Sequence, residues 1–514
     1  MPRLRMMHLR LLAFAFLASI PLRAADQPNI LYIMSDDHAA GAIGAYSGRL
    51  ATLNPTPTID RLAREGAMLT NAFCTNSICT PSRATILTGQ YSHVNGIRTL
   101  IGSLPEARQA LPMLMKAAGY ETAMVGKWHL EAEPTAFDYY SVYPGQGSYF
   151  NPLYLERGPK PWPQNTRRVA GSDSTHESDA VTDISLAWLE SRKSGKPFFL
   201  MHHFKAPHDN FENAERYDFL YDDVKIPEPE SLWTTPNYGS EATQGTGTSV
   251  GKRNMRRNMG MHMFVDPSLP DDEYKRAAYQ RYLKKYLRCV RGVDDNVARL
   301  LDYLEKSGQL DNTLIIYTSD QGFMLGEHDY IDKRWMYEES LRMPFIARYP
   351  RLIKAGTKSD ALINNSDFAP TLLAAAGAPT PPTMQGRSFL PMLRGEPEPA
   401  DWRKATYYRY WMHMEHHDNP AHYGIRTKDH KLIFFYGLPL DAEIFAKAPH
   451  PPTTPGWELY DLRKDPMELR TVHAEAKYAK VRDDLKKELL RVKEQVGDVD
   501  ERYPELMKVR EKAW

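Results

Sequence analysis

The longer N-terminal part of the chain alternates short apolar runs with longer amphipathic stretches, from residue 28 to about residue 380. Short runs rich in β-branched and aromatic residues are typical of buried strands. They are predicted at Asn29 to Ser35, Glu121 to Val125, Pro197 to His202 and Asn312 to Thr318. Apolar residues at helical spacing are found at Thr58 to Glu65, Asp179 to Ser191 and Asp271 to Lys306. This alternation predicts an α/β fold with a mainly parallel sheet between helices.

The pattern changes after Pro381-Pro382 and again after a stretch rich in proline and charge at residues 394–399. Short aromatic runs then follow one another without helices between them, and a charged helical tail comes last, from Ala476 to about Val496. Such runs favour a small antiparallel sheet closed by a helix. We therefore predict one unit over residues 26–395 and a second, α+β unit over residues 396–514.

Residues 235–260 form a polar, glycine-rich insertion within the first unit. Its composition is typical of a solvated surface loop, which is the structure that we expect. A basic cluster between Lys252 and Arg257 leaves contact with a polyanion as an alternative.

The first 25 residues have the composition of a secretory signal peptide. Arginines come first, an apolar run from Leu11 to Ile20 follows, and small residues surround Ala24 and Ala25. The run is shorter than the roughly 20 residues of a membrane-spanning helix. We expect a protein that is exported to the periplasm or secreted, without a membrane anchor.

Charge and cysteine content exclude several other classes. The net charge of +1 gives no reason to expect a nucleic-acid partner. Three cysteines in 514 residues are too few for a disulfide framework. Pairing of Cys74 with Cys289 stays open, because spacing alone does not establish the geometry of a disulfide.

Acidic and amide side chains follow two of the predicted strands. Asp36 and Asp37 come directly after the first strand, and Asp320 and Gln321 follow the last. Carboxyl ends of parallel strands share the edge of a sheet where such folds bind ligands. Oxygen ligands suit a hard cation, calcium or magnesium, better than zinc. The alternative is that these aspartates are turn residues or helix caps.

Two further predicted strands end in basic and titratable residues. Lys127 and His129 follow one strand on the same side of the extended chain, and Lys205 and His208 follow another. A single residue of this kind is more often an ordinary loop residue than a catalytic one. Their arrival at the same predicted edge as the aspartates favours a catalytic crevice.

The segment Cys79-Thr-Pro-Ser-Arg83 predicts a helix start that would favour an anion. Thr80 is expected to cap the helix and Pro81 to occupy its first position. Arg83 would then fold back to the same anion with its planar guanidinium. A buried, structural cysteine is the alternative for Cys79. The spacing excludes a cysteine phosphatase, whose arginine follows the nucleophile at a longer interval.

These motifs together resemble the type I sulfatases over most of the chain. The likeness is carried by Asp36-Asp37, Cys79 to Arg83 with Leu87-Thr-Gly89, Gly126-Lys-Trp-His129, Pro207-His208, Ser319-Asp-Gln-Gly322, Asp332-Lys333 and Tyr337-Glu-Glu-Ser340. The resemblance implies an alkaline-phosphatase-like catalytic domain and a C-terminal subdomain that recognises substrate. It implies that a formylglycine-generating enzyme oxidises Cys79 to formylglycine, whose hydrated aldehyde attacks the sulfur of a sulfate ester. The calcium ligands would be Asp36, Asp37, Cys79, Asp320 and Gln321.

The resemblance also implies roles for the basic residues around this centre. Arg83, Lys127 and Lys333 would neutralise the sulfate oxygens, while His129 and His208 would transfer protons. Either His208 or Lys333 would protonate the leaving alcohol. Gln321 departs from the Asn or His of many relatives but keeps a carbonyl oxygen.

Segments at residues 76–83, 91–96 and 143–147, and near Glu415-His-His417, resemble the bacterial N-acetylglucosamine-6-sulfatases. This likeness implies a sulfated glycan substrate, with His417, His422 and Arg426 contacting the sugar. A structural histidine cluster is the alternative for these residues. Two alternatives for the whole protein are a phosphonate or phosphate monoester hydrolase of the same superfamily and a glycan-binding protein without activity.

Overall fold

The structure is a computed structural model that describes residues 27–164, 166–168, 174–233, 239–440 and 449–514. The predicted signal peptide, residues 1–25, lies outside this range. In the part of the chain that is described, no helix is long and apolar enough to cross a membrane.

The strands of the described residues fall into two sheets and one short hairpin-like pair. Their bounds are β1 Asn29–Ser35, β2 Ala67–Phe73, β3 Glu121–Gly126, β4 Tyr139–Val142, β5 Leu153–Glu156, β6 Thr166–Arg168, β7 Phe198–His203, β8 Thr313–Ser319, β9 Met324–Leu325, β10 Ile331–Asp332, β11 Arg342–Arg348, β12 Thr357–Ser359, β13 Ile363–Asn364, β14 Ala405–Tyr410, β15 His422–Thr427, β16 His430–Phe435 and β17 Gly456–Asp461.

The helices of the same residues lie mostly between the strands of the larger sheet. They are α1 Pro57–Glu65, α2 Cys79–Thr88, α3 Ser92–Asn95, α4 Ala110–Ala117, α5 Glu177–Ser191, α6 Met259–His262, α7 Asp271–Lys306, α8 Glu338–Leu341, α9 Phe368–Ala375, α10 Leu390–Leu393, α11 Ala479–Val496 and α12 Pro504–Ala513.

The larger sheet has the strand order β12-β2-β11-β8-β1-β7-β3-β4-β5-β6, with β13 also paired to β2. Its centre, from β8 to β4, is parallel, whereas β11 runs antiparallel to β8. The four strands predicted from apolar runs are the parallel strands β1, β3, β7 and β8. The prediction of a mainly parallel sheet between helices is therefore confirmed.

Alternate residues of β1 belong to two different apolar layers. Ile30, Tyr32 and Met34 pack into one layer, and Leu31 and Ile33 pack into the other. Because successive side chains of a strand point to opposite faces, both faces of the sheet must be covered. This explains why β1 is apolar throughout rather than alternating.

The long helix α7 covers one face of the sheet and fixes the segment that follows β1. Its Tyr286 hydroxyl donates a hydrogen bond to the Asp37 carbonyl (2.7 Å) and accepts one from the Ala39 amide (2.9 Å). Asp37 itself has φ 64°, in the left-handed region that aspartate tolerates better than most residues. The helix thus helps to hold Asp37 in a conformation that an isolated chain would rarely adopt.

The smaller sheet is antiparallel, with the order β14-β15-β16-β17, and α11 packs against it as predicted. The buried residues of this unit include Tyr423, Phe434 and Leu459 from the strands and Leu485 and Leu489 from α11. The connecting segment between α10 and β14 contains the predicted division at residues 395 and 396. The division itself stays a prediction.

One expectation from the sequence needs correction, and one open possibility is resolved. The insertion is only in part a solvated loop, because Ser249, Val250 and Asn258 are buried whereas residues 255–257 are exposed. The Val250 amide donates to the Asp329 carbonyl (3.0 Å), which ties the insertion to the segment after β9. Cys74 and Cys289, both within the described residues, are free and buried, so the open possibility of a disulfide is excluded in this structure.

Candidate active site

Three carboxylates meet at the carboxyl edge of the larger sheet. Strands β1 and β8 are parallel neighbours with Ser35 opposite Ser319, so the residues that follow them lie side by side. Asp36, Asp37 and Asp320 are fully buried, and each offers an oxygen within 4.8 Å of the others. The structure thus brings together the acids that the strand-end pattern predicts.

The electrostatics of these acids differ from one to the next. Burial raises the pKa of Asp37 well above its usual range, and the charges of Asp36 and Asp320 raise it further against the opposing effect of Lys333. Burial also raises the pKa of Asp36, but Lys127 and other cations outweigh it and hold that pKa well below its usual range. The site therefore disfavours three negative charges unless cations balance them.

Gln321 adds a fourth oxygen donor to the group. Its amide nitrogen donates to Asp37 Oδ1, while its Oε1 is buried and has no partner among the described residues. A buried carbonyl oxygen without a partner costs free energy unless a cation or a water satisfies it. Carboxylate and amide oxygens in one cluster suit calcium or magnesium.

Cys79 is the first residue of α2 and lies beside the carboxylates. Its Sγ is 3.3 Å from Asp36 Oδ1, and the residue is not exposed at all. Burial raises the pKa of the thiol well above its usual value, and the charge of Asp36 raises it further. A thiolate nucleophile is therefore disfavoured at this position, which argues against cysteine chemistry with the unmodified side chain.

The expected helix cap is wrong. Ile78, not Thr80, is the N-cap residue, and no side chain caps the helix. The Thr80 hydroxyl instead donates to the Leu100 carbonyl at 3.5 Å. Cys79 is still at the N-terminus of the helix, as the motif predicts.

Arg83 binds the carboxylates rather than presenting a free guanidinium. Its Nη2 donates to Asp320 Oδ2 (2.9 Å) and to Asp36 Oδ2 (3.2 Å), and its Nη1 donates to the Lys127 carbonyl (2.5 Å). These contacts occupy the side chain, which is buried. Arg83 thus positions Asp36 and Asp320, and the expectation that it folds directly onto the substrate anion is not met in this structure.

Two buried lysines approach the same acids from different segments. Lys127 Nζ contacts Asp36 Oδ2 and donates to Gln146 Oε1 (2.5 Å). Lys333 Nζ lies 2.5 Å from Asp37 Oδ2. Both ammonium groups are therefore next to Cys79 in the crevice, where a sulfate group would need positive charge.

His129 and His208 are also at this edge. Burial first, and then the charge of Lys127, hold the pKa of His129 well below its usual range, and its Nδ1 has no partner among the described residues. His208 Nε2 lies 3.7 Å from Asp37 Oδ2, and burial, followed by Lys333, lowers its pKa to about 4. Neutral imidazoles at pH 7 are able to accept protons.

A cavity of about 660 Å³ opens beside His208 and Lys333. Asp209 in its wall lies 2.6 Å from His208 Nδ1, and Asp332 lies 3.8 Å from Lys333 Nζ. His417 also lines the cavity, with its Nδ1 3.7 Å from Asp332 Oδ2. Two residues of the cavity wall, Asp209 and Asp332, therefore contact the basic residues of the crevice.

His422 and Arg426 do not line this cavity. His422 is buried within β15, where its ring packs against Trp335 and Phe435. Arg426 is buried as well, and its Nη2 donates to Glu338 Oε2 at 3.2 Å. Both side chains pack within the protein in this structure, and their contact with the sugar stays a prediction.

Sequence reasoning missed several residues that the structure places at the site. Gln146 holds Lys127, and the Arg334 guanidinium contacts the Asp332 carboxylate at the cavity wall. The signal for Asp332 and Asp209 was their position next to Lys333 and His208 in the sequence. Gln146 lies in a glycine-rich turn, and nothing in its local sequence indicates that it reaches Lys127.

Comparisons with known proteins agree with this site. The sulfatase family model matches residues 28–378, and the model described as N-sulphoglucosamine sulphohydrolase, C-terminal, matches residues 326–495. The N-acetylglucosamine-6-O-sulfatase of Bacteroides thetaiotaomicron is 37% identical, and the alignment covers 97% of this chain and 92% of that protein.

Solved structures extend the comparison. A protein in complex with its substrate D-glucosamine-2-N,6-O-disulfate superposes with a TM-score of 0.81 at 38% identity, covering 92% of this chain and 99% of that chain. The phosphonate monoester hydrolase of Silicibacter pomeroyi shares the fold, with a TM-score of 0.70 at 22% identity, covering 91% of this chain and 96% of that chain. The match to the sulfatase model and the full-length relative show that the chain belongs to the sulfatase family, with an alkaline-phosphatase-like fold, and is a sulfuric ester hydrolase.

Proposed function

We propose that the enzyme hydrolyses the 6-O-sulfate ester of an N-acetylglucosamine residue in a sulfated glycan. The observation that carries this choice is the similarity to the Bacteroides thetaiotaomicron 6-O-sulfatase, which extends over 97% of the chain. The structure related at a TM-score of 0.81 binds a glucosamine that carries a 6-O-sulfate, which supports the same sugar and position.

The acidic cluster fits a calcium ion. Asp36, Asp37, Asp320 and Gln321 would hold it, with residue 79 facing it. The buried Oε1 of Gln321 and the raised pKa of Asp37 both indicate a group that gains from a bound cation. When bound, the ion would polarise the sulfate oxygens as a Lewis acid.

Residue 79 would act as formylglycine, made from the cysteine by a formylglycine-generating enzyme. The modified side chain supplies a hydroxyl of the aldehyde hydrate as the nucleophile. The high pKa of the buried thiol supports this assignment, since the unmodified group would be a poor nucleophile here.

The chain's own cations and histidines divide the remaining tasks. Lys127 and Lys333 would bind the sulfate oxygens, and Arg83 would keep Asp36 and Asp320 in place beneath them. His208, at the cavity side, would handle the proton of the leaving sugar hydroxyl, with Lys333 as the alternative donor. His129 would accept a proton at its Nδ1, which has no partner among the described residues.

The cavity wall would contact the sugar that carries the sulfate. Asp332, Arg334 and His417 lie next to one another, and they offer both donors and acceptors to hydroxyl groups. Export to the periplasm or the medium belongs to the same proposal and depends on the N-terminal segment of the sequence.

Sulfate release from N-acetylglucosamine 6-sulfate tests the proposal. The protein is produced together with a formylglycine-generating enzyme, and sulfate is measured by ion chromatography. We expect turnover of the 6-sulfate that exceeds turnover of N-acetylglucosamine 3-sulfate and galactose 6-sulfate, and none with Cys79→Ala. A preference for either control sugar would overturn the assignment of sugar and position.

Two further measurements test the rival functions. Faster hydrolysis of 4-nitrophenyl phosphate than of 4-nitrophenyl sulfate would favour a phosphate or phosphonate monoester hydrolase, a relative of which shares the fold. Mass spectrometry of the peptide that contains residue 79 should show formylglycine. An unmodified thiol in active protein would reject the proposed nucleophile.

A further inference from the structure

The outer wall of the cavity is built mainly by the segment from Thr248 to Phe264. Residues of this segment face Asp209, Asp332 and His417 across the cavity. Only one side of the cavity adjoins the catalytic groups, so the cavity has more room than a sulfate group alone requires. A volume of about 660 Å³ lies within the usual range for ligand sites.

This wall is fixed by hydrogen bonds to the rest of the protein. The Gly251 amide donates to Asp329 Oδ1 (3.0 Å), and Asn254 Nδ2 donates to Asp418 Oδ2 (3.0 Å). Asn258 caps α6 through the Met261 amide (2.9 Å) and accepts a hydrogen bond from the Tyr274 hydroxyl (2.7 Å). A wall held at several points is suited to bind a ligand without a large ordering cost.

The wall carries positive charge that the protein does not use. Lys252 and Arg253 form ion pairs with Asp271 and Asp329 and do not line the cavity. Arg257 and Lys285, in contrast, line the cavity, and neither has a carboxylate within 4.0 Å or a side-chain hydrogen bond among the described residues. Two exposed cations without partners at a cavity wall create a local preference for anions.

The carboxylates of the cavity are placed differently. Asp209 contacts His208, and Asp332 contacts Lys333 and Arg334, so both are paired with groups at the catalytic end. Glu212 also lines the cavity and would oppose an anion there. Removing the charge of Glu212 should therefore favour an anion in the cavity, which tests the direction of the charge effect.

Exposed apolar side chains complete the wall. Phe264 is 89% exposed and Met261 is 53% exposed, although both line the cavity. Large apolar side chains at the rim of a polar site offer a stacking surface for the apolar face of a ring. A sugar ring beside the sulfated residue would meet both this surface and the two cations.

We infer that this wall is a second sugar subsite, which binds the residue linked to the sulfated N-acetylglucosamine and reads its anionic group through Arg257 and Lys285. The inference deepens the proposed function and rests on it. The anionic group is a carboxylate or a sulfate, which share the same bidentate hydrogen-bonding chemistry toward arginine. The enzyme would then prefer acidic glycans over neutral ones.

Matched disaccharides test the charge preference. The 6-O-sulfated N-acetylglucosamine is linked to glucuronate, to a sulfated galactose or to a neutral galactose. We expect kcat/KM to be about tenfold higher for at least one acidic neighbour, equivalent to about 1.4 kcal/mol. The acidic disaccharide with the higher kcat/KM identifies the anionic group as a carboxylate or a sulfate. Equal kcat/KM values for all three disaccharides would overturn the inference.

Variants of the wall locate the effect. The double variant Arg257→Ala, Lys285→Ala should remove the acidic preference, and Glu212→Gln should raise it modestly. Lys284→Ala is the matched control, because that lysine is the neighbour on α7 and binds the Asp222 carbonyl (2.7 Å) instead of the cavity. Equal loss on acidic and neutral disaccharides in the double variant would count against a subsite that reads charge.

Product binding separates failure of the inference from failure of the proposed function. If no 6-sulfate is hydrolysed, the proposed function fails. Calorimetry with the 6-O-desulfated disaccharides that contain glucuronate, sulfated galactose or neutral galactose still tests the wall, since it needs no nucleophile. Tighter binding of at least one acidic product than of the neutral product, lost in the double variant and reduced by salt, supports the subsite, and equal binding of all three products rejects it.

Discussion

The two sheets of this protein both carry histidine and arginine, but they use them in opposite ways. At the carboxyl edge of the larger sheet, His129 and His208 come after strands and reach a common crevice. In the smaller sheet, His422 and Arg426 lie within β15, and their side chains pack against Trp335 and Glu338. The end of a parallel strand delivers a side chain to a shared site, whereas the interior of a covered strand buries it.

The largest effect is expected for Cys79, the proposed source of the nucleophile, which contributes little to packing. Cys79→Ala should lower sulfatase turnover by at least about 10³-fold, as the loss of a nucleophile does in other hydrolases. Its melting temperature should stay near that of the parent protein, because Cys79 makes one polar contact, to Asp36. Calorimetry and rate measurement check both parts. Substantial residual turnover would contradict a chemical role for this residue.

Removal of calcium should affect both rate and stability. Chelation is expected to abolish turnover and lower the melting temperature, and calcium at 100 times its dissociation constant should restore about 2.7 kcal/mol. Asp37→Asn should lower turnover by about 100-fold or more and weaken this stabilisation, since Asp37 belongs to the acidic cluster. Thermal melts with calcium and with chelator measure the stabilisation by calcium. An equal calcium response in the variant would remove Asp37 from the ligands.

The two histidines of the crevice should be separable by leaving group. His208→Ala is expected to slow sugar sulfate hydrolysis by about 10²-fold, because the sugar hydroxyl needs a proton as it leaves. With 4-nitrophenyl sulfate the loss should be much smaller, since nitrophenolate leaves without one. His129→Ala should slow both substrates alike. If His208→Ala slowed the sugar sulfate and 4-nitrophenyl sulfate equally, as expected for His129→Ala, His208 would not protonate the leaving group.

The smallest effect on activity is expected in the smaller sheet. Burial lowers the pKa of His422 to about 4 from 6.5, so between these pH values the unfolded chain binds more protons than the folded one. Its contribution to stability is therefore present above pH 6.5 and lost as the pH falls toward 4, by about 1–3 kcal/mol. His422→Phe should lessen this acid sensitivity and keep turnover at pH 7.5 within about twofold. Denaturant titrations across this pH range provide the measurement. A large loss of sugar sulfate turnover in a stable variant would return His422 to substrate binding.

The fold and the crevice were predictable because their signals are local and simple. The four apolar runs correspond to β1, β3, β7 and β8, and the order of a parallel sheet then brings their ends together. This rule and the motif around Cys79 were enough to name most acids and bases of the site, whereas Lys333 was named only from the resemblance to the sulfatases.

What the sequence did not predict depends on long-range contacts. Arg83 follows Cys79 closely, yet its guanidinium is bound to Asp320, which is distant in the sequence. The insertion is polar in composition, but its backbone is bound to Asp329 and part of it forms a cavity wall. Neither a local pattern nor a motif contains this information, because it arises only when separate segments pack.

The complete burial of Cys79 has a consequence for how the enzyme is made. An oxidising enzyme needs the thiol within its own catalytic centre, and the folded sulfatase buries residue 79, at the start of α2, beside Asp36. The formylglycine that we propose at residue 79 would therefore have to form in the newly synthesised chain, before the domain closes. Protein that folds first would be trapped in an inactive form, and the amount of active enzyme in a cell would depend on a race between modification and folding.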